Sequence, residues 1–163
     1  MSYELIIEQC SPTLAGIKTG SLFSVPNEDK KEFKENIKRL NSVLVPRGLR
    51  LIPVKQLKNR VLIYLYRPNR LKRDLENSLA ENILLQKNYP TDNADRCVAE
   101  LIKRLKSGED FPHEVGLFLG YPAEDVNGFI KYGAKNAKYN GVWRVYGDCE
   151  TAKKKFALYN KCT

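Results

Sequence analysis

The stretch that most constrains this chain is Phe111–Ile130, FPHEVGLFLGYPAEDVNGFI. It holds the only histidine, three of the ten glycines and two of the eight prolines, set among dense apolar residues. Phe111-Pro112 places a proline at a first helical position, where its missing N–H costs nothing. Val115, Phe118 and Leu119 follow at i, i+3 and i+4, the spacing of a short helix with one apolar face. Gly120 suits a left-handed C-cap, and Pro122 cannot continue that helix but can start another. Glu124 and Asp125 fall in the first turn of this second helix, where carboxylates meet the positive end of the helix dipole. Val126, Phe129 and Ile130 line its buried side, and Gly133 ends it. The spacing predicts two short helices joined by a tight turn.

Such a pair can read DNA or pack as a corner on a sheet. Glu124 and Asp125 would repel phosphates, so the packed corner is expected. Gly116 and Gly120 stand four apart, and each costs about 1 kcal/mol against alanine in a helix interior. Each therefore marks a close approach by a neighbouring element or a ligand touching bare backbone.

The 163 residues are expected to form one domain, residues 1–163. An apolar fraction of 42% argues against disorder. No run of eighteen apolar residues occurs, so no membrane span or membrane partner is expected. The start, MSYELIIEQC, lacks the basic segment of a secretory signal. Cys10, Cys97, Cys149 and Cys162 show no CxxC spacing and are expected as reduced thiols in a cytoplasm. The net charge of +9 suits nucleic acid, another anionic partner or a small anionic ligand, and equally a solvated lysine-rich surface.

Along the chain, Tyr3–Gln9 reads as a strand, and Ser11-Pro12 opens a short helical turn through Ile17. Gly20–Pro26 reads as a loop. Glu28–Leu44 is an amphipathic helix, with Phe33, Ile37, Leu40 and Leu44 on one face. Leu49–Lys55 and Arg60–Arg67 form a hairpin, in which Pro53 argues for an edge strand or a bulge. Asn69–Lys87 and Asp92–Lys106 are helices, the second capped by Thr91. Lys131–Gly141 reads as a loop and Val142–Tyr146 as a last strand. Asp148 caps a final helix. The expected class is α+β: a small, mainly antiparallel sheet of about four strands, in ferredoxin-like order, with a helical insertion and a C-terminal helix.

Chemistry-bearing residues are sparse. One histidine and four scattered cysteines make no zinc set, and HExxH fails because position 117 is Leu, so no metal is expected. GxSxG, P-loop and GxGxxG motifs are absent and no cofactor is expected. Cys10 stands at the start of a helical turn, where a thiol can become reactive, and Lys18 could assist it. His113 could pair with Cys10 in space. The alternatives are a buried cysteine and a capping histidine. Lys58–Arg73 carries Lys58, Arg60, Arg67, Arg70, Lys72 and Arg73 with no acid among them, and Tyr64 and Tyr66 share a strand face. Aromatics beside arginines on a sheet can stack single-stranded nucleic acid, although tyrosines so placed also pack beneath helices. Lys131, Lys135, Lys138 and Lys153–Lys155 form a second basic patch.

Three blocks resemble an uncharacterised bacterial family, a domain of unknown function: CSPTLAGIKTGSLF, the FPHEVGLFLGYPAEDV-type signature, and GVWRVYGD. By position the resemblance marks Cys10, Pro12, Leu14, Lys18, His113, Glu114, Gly116, Gly120, Tyr121, Pro122, Asp125, Trp143 and Tyr146. It implies a small bacterial cytoplasmic protein and no particular reaction. It makes Gly116, Gly120, Tyr121 and Trp143 candidates for ligand binding, and Cys10, Lys18, His113 and Glu114 candidates for catalysis. If the first two blocks share a site, Cys10, Lys18, His113, Glu114 and Tyr121 line one pocket. The leading expectation is a non-enzymatic protein that binds a ligand or partner, anionic ones being favoured by the charge. The alternatives are a nucleic-acid module using Lys58–Arg73 and an enzyme using Cys10, Lys18 and His113.

Overall fold

A computed structural model describes residues 1–108, 111–133, 139–140, 144–145 and 147–162. Its centre is strand β3 (Arg60–Tyr66), which pairs antiparallel on one side with β1 (Gly20–Pro26) and on the other with β2 (Arg50–Gln56). RVLIYLY is a continuous apolar run, the pattern of a strand covered on both faces. Val61, Ile63 and Leu65 point to one face with Ser21, Phe23, Val25 and Leu51. Leu62, Tyr64 and Tyr66 point to the other. The β2–β3 hairpin forms as expected, and β2 is an edge strand whose register slips between Pro53 and Lys55.

The first face is covered by α1 (Tyr3–Leu14) and α2 (Lys30–Leu44). The second lies beneath α3 (Pro68–Leu75), α4 (Ser78–Gln86), α5 (Ala94–Ser107), α6 (Val115–Leu119) and α7 (Ala123–Tyr132). Among the described residues, strands β4 (Tyr139–Asn140) and β5 (Arg144–Val145) pair with each other and not with the three-stranded sheet. Helix α8 (Cys149–Cys162) packs Ala152, Phe156 and Tyr159 against Ile17 and Tyr121.

Several expectations need correcting. Tyr3–Gln9 is helical, not a strand. Ile6 and Cys10, four apart, both reach the core, while Ile7 is 56% exposed, so the spacing that matters is helical. Cys10 leaves helical geometry (φ −130°, ψ 18°) two residues before Pro12, so a short second helix does begin where Ser11-Pro12 was expected to open one. Gly20–Pro26 is a strand, not a loop, with Ser21, Phe23 and Val25 buried on alternate positions. The expected helix Asn69–Lys87 divides into α3 and α4, because the Asn77 side chain accepts from the N–H groups of Leu79 and Ala80 and starts a new helix. Asn93, not Thr91, caps α5. The sheet has three strands among the described residues, not four, and the ferredoxin-like order does not form. Of the residues expected to supply a fourth strand, Arg144 and Val145 pair with Asn140 and Tyr139 instead, and 142, 143 and 146 lie outside the described residues. The corner at Gly120 forms as expected, with φ 87° at Gly120, and Asp148 caps α8.

Candidate functional site

The opening block and the central signature meet at the β1 edge of the sheet. Just past α1 the chain turns at Gly16 (φ 82°), and the N–H groups of Ile17 and Lys18 both return to the Pro12 carbonyl, at 3.1 and 3.2 Å. The last carbonyls of α1 and those of this turn are gripped from the start of α3. Arg67 donates to Thr13 O (2.9 Å) and Leu14 O (2.8 Å), and Arg70 to Gly16 O (2.6 Å) and Ile17 O (3.2 Å). Cations at a helix C-terminus satisfy carbonyls that the helix cannot and favour its dipole. These guanidiniums fix the turn that carries Lys18 and Thr19.

Thr19 is buried, and its hydroxyl donates to the Asp74 carboxylate at the end of α3. The turn after α6 lies directly on it. A Cβ at Gly120 would stand 2.8 Å from Thr19 Oγ1 and 2.9 Å from its Cβ. One at Gly116 would meet Tyr121 Cδ2 at 2.8 Å and Val126 Cγ2 at 2.9 Å. One at Gly20 would meet the Phe118 carbonyl and the Tyr64 ring, both at 2.7 Å. Close packing therefore accounts for glycine at each of these positions.

Beside this contact lies a cleft of about 320 Å³. One wall is Gly120–Glu124; facing it are Arg73, Asp74 and Asn77 from α3 and its end, with Lys155 from α8. The Lys18 amine stands 5.7 Å from the centroid of the Tyr121 ring. Burial lowers its pKa, opposed only by the Cys10 sulfur nearby. Cys10 itself is fully buried, and burial pushes its thiol up to about 12, so it is protonated at neutral pH. Thr13 and Ser21 share a hydrogen bond of 2.7 Å on the same face of the sheet.

His113 and Glu114 do not join this group. Cys10, within α1, packs on one face of the sheet; His113 and Glu114 lead into α6 on the other. His113 is exposed, with its ring edge against Phe129 (centroids 4.9 Å apart). Glu114 is 3% exposed and accepts from Tyr89 Oη at 2.8 Å. Arg104 Nη1 lies 3.6 Å from Glu114 and Lys87 Nζ 3.9 Å, while the Arg104 guanidinium also covers the Tyr89 ring at 4.0 Å. This carboxylate ties α6 to α4 and α5. Trp143 and Tyr146 lie outside the described residues, as do Lys135 and Lys138.

The expected stacking face does not form. Tyr64 and Tyr66 are buried, stacked on each other at 4.5 Å, and the Tyr64 hydroxyl donates to Phe118 O. The packing of five helices on that face has absorbed both rings. Arg60 is occupied with Ser24, at 2.8 Å to its hydroxyl and 2.8 Å to its carbonyl. Arg67 and Arg70 hold α1, which leaves Lys58, Lys72 and Arg73 as the exposed basic groups of that segment that make no such contact. Residues that the sequence reading missed are Thr19, Asp74 and Arg104. An acid inside an apolar motif demands a buried base, but nothing in the spacing pointed to Arg104 as the partner.

The four cysteines are unpaired. Among the described residues no group of three potential ligands could hold a metal, and no helix is long and apolar enough to cross a membrane. The model of a family described as "Protein of unknown function (DUF3793)" matches residues 6–163. No curated protein and no solved structure matches the chain.

Proposed function

The chain belongs to this family of unknown function, and we propose that it binds a small ligand carrying an anionic group in the cleft beside Tyr121. The observation that carries this reading is the convergence of two sequence blocks on one concavity. Thr19 of the opening block supports Gly120 of the signature, and Gly120–Glu124 walls a cleft that also holds Arg73 and Lys155. Its volume is that of a small-metabolite site. Two cations against one exposed acid, Glu124, favour an anion, because Asp74 is already engaged by Thr19. The burial of Cys10 and its separation from His113 by the sheet favour binding over nucleophilic catalysis. The unpaired cysteines support a reducing, cytoplasmic setting.

The test is calorimetric titration, with thermal unfolding, against inorganic phosphate, small phosphate monoesters and di- and tricarboxylates. A binding member raises the unfolding temperature by mass action. Arg73→Ala and Lys155→Ala each weaken it by about fivefold, the loss of roughly 1 kcal/mol for a charge-assisted contact in a partly exposed cleft. The reading fails if no anion in the panel binds, or if the double variant binds as well as the parent.

A further inference from the structure

We infer that Lys18 is a carbonyl-reactive amine, which takes a small aldehyde or keto compound bearing a phosphate or carboxylate and holds it as an imine. The inference rests on the anionic-ligand reading above and adds the chemical class of the ligand. Three observations support it.

The first is rigidity. The Lys18 N–H is bonded to Pro12 O, and the two carbonyls before it are held by Arg70. The backbone that carries this amine is therefore fixed from both sides. The second is isolation. Lys18 is half-buried, yet among the described residues no carboxylate pairs with its Nζ and no oxygen accepts from it. Beside it stand the Tyr121 ring and the Cys10 sulfur, which is protonated at neutral pH and supplies no counter-charge. A desolvated ammonium without an anion is disfavoured, so the neutral, nucleophilic amine gains population. The third is position. Thr19, the next residue, abuts Gly120, and the Tyr121 ring contacts Lys18 as well as walling the cleft that holds Arg73 and Lys155.

The step balances without a co-reactant. The Nζ lone pair adds to the carbonyl carbon, and the π pair moves to oxygen. A proton passes from nitrogen to that oxygen, giving a carbinolamine. Loss of water then leaves the C=N bond. An anionic group on the same compound is drawn to Arg73 and Lys155.

The experiment uses pyridoxal phosphate, with phosphate-free pyridoxal beside it, on the full chain. Each is added below one equivalent, reduced with borohydride and mapped by peptide mass. With pyridoxal phosphate, the Lys18 peptide should carry clearly more adduct than that of an exposed lysine such as Lys103, because the half-buried amine lacks a counter-charge and the cleft draws in the phosphate. Inorganic phosphate should compete, and pyridoxal should lose the preference. Lys18→Arg, which keeps the cation and is checked by thermal unfolding, should lose this adduct and retain phosphate binding. Labelling of Lys18 at or below the level of Lys103 overturns the inference, even where the anion titrations succeed. Preferential labelling by both reagents alike, without phosphate competition, leaves a reactive amine but removes the anionic cleft from the argument.

Discussion

The hydroxyl of Thr19 donates to the carboxylate of Asp74, joining the start of β1 to the end of α3. The same threonine is the surface on which Gly120 rests. One buried side chain thus links the start of β1 to two of the segments that line the cleft, the end of α3 and the turn after α6. Thr19→Val keeps its volume and removes the bond, leaving Asp74 without that donor. Stability should fall by about 1–2 kcal/mol, read from urea unfolding. Anion affinity should fall with it, because the freed carboxylate faces the cleft and repels an anion.

Gly120 and Gly48 separate two reasons for glycine. Both are left-handed, with φ 87° and 82°. At Gly48 a new Cβ comes no nearer than 3.8 Å to Arg67 Nη1; at Gly120 it runs into Thr19. Gly48→Ala should therefore cost about 1 kcal/mol of backbone strain. Gly120→Ala should cost about 2–4 kcal/mol, since overpacking adds to the strain. Equal losses in chemical denaturation would remove the close approach from the explanation.

Glu114→Gln tests the buried anchor of α6. The substitution leaves Arg104 and Lys87 facing a neutral amide. Breaking a buried pair from one side costs about 3–5 kcal/mol when both partners are enclosed. Arg104 keeps 28% of its side chain exposed, so about 2 kcal/mol is expected. His113→Ala, one residue away and exposed, should change stability by less than about 0.5 kcal/mol.

Arg70 and Lys72 lie on one helix and belong to the same basic run, yet only Arg70 holds the carbonyls of Gly16 and Ile17. Arg70→Ala should lower stability by about 1–2 kcal/mol. Hydrogen exchange should quicken in residues 13–19 above all. Lys72→Ala should do neither.

The thiol of Cys10 ionises at about 12 in the fold against an ordinary 9.0. Below pH 9 both folded and unfolded chains keep the proton, and its contribution is fully present. Between pH 9 and 12 the unfolded chain releases the proton and the folded chain retains it, so stability is lost as pH rises. The loss approaches ~1.4 kcal/mol per pH unit for this one group. Cys10→Ala should flatten unfolding free energy against pH in that window. An unchanged slope would place the titration elsewhere.

The elements legible in the sequence were those with a period and a punctuation mark. Phe33, Ile37, Leu40 and Leu44 announced α2; Gly120-Tyr121-Pro122 announced the corner; Pro53 announced an irregular edge. The misread elements lie at the N-terminus. YELIIEQ supports either a two-residue or a four-residue period over so short a run, and the choice is made by the sheet that Ile6 and Cys10 must cover. GSLFSVP carries serines on both faces of a strand, because Ser21 bonds to Thr13 and Ser24 to Arg60, partners that spacing cannot reveal. For the site, the block boundaries were informative and the residue set less so. Lys18 and Tyr121 come together, while Glu114 finds its cations on α4 and α5, and Tyr64 and Tyr66 spend their aromatic surface on the core.

Strand β3 also sets an order of events during synthesis. Among the described residues it is the one strand that pairs with β1, and it begins 34 residues after β1 ends. At typical elongation rates of about 5–20 residues per second, β1 is translated several seconds before its neighbour. Throughout that interval Phe23 and Val25 have only α1 and α2 to shelter them. A chain halted near residue 59 offers an unsealed strand edge to whatever it meets, and completion of β3 at Tyr66 closes it.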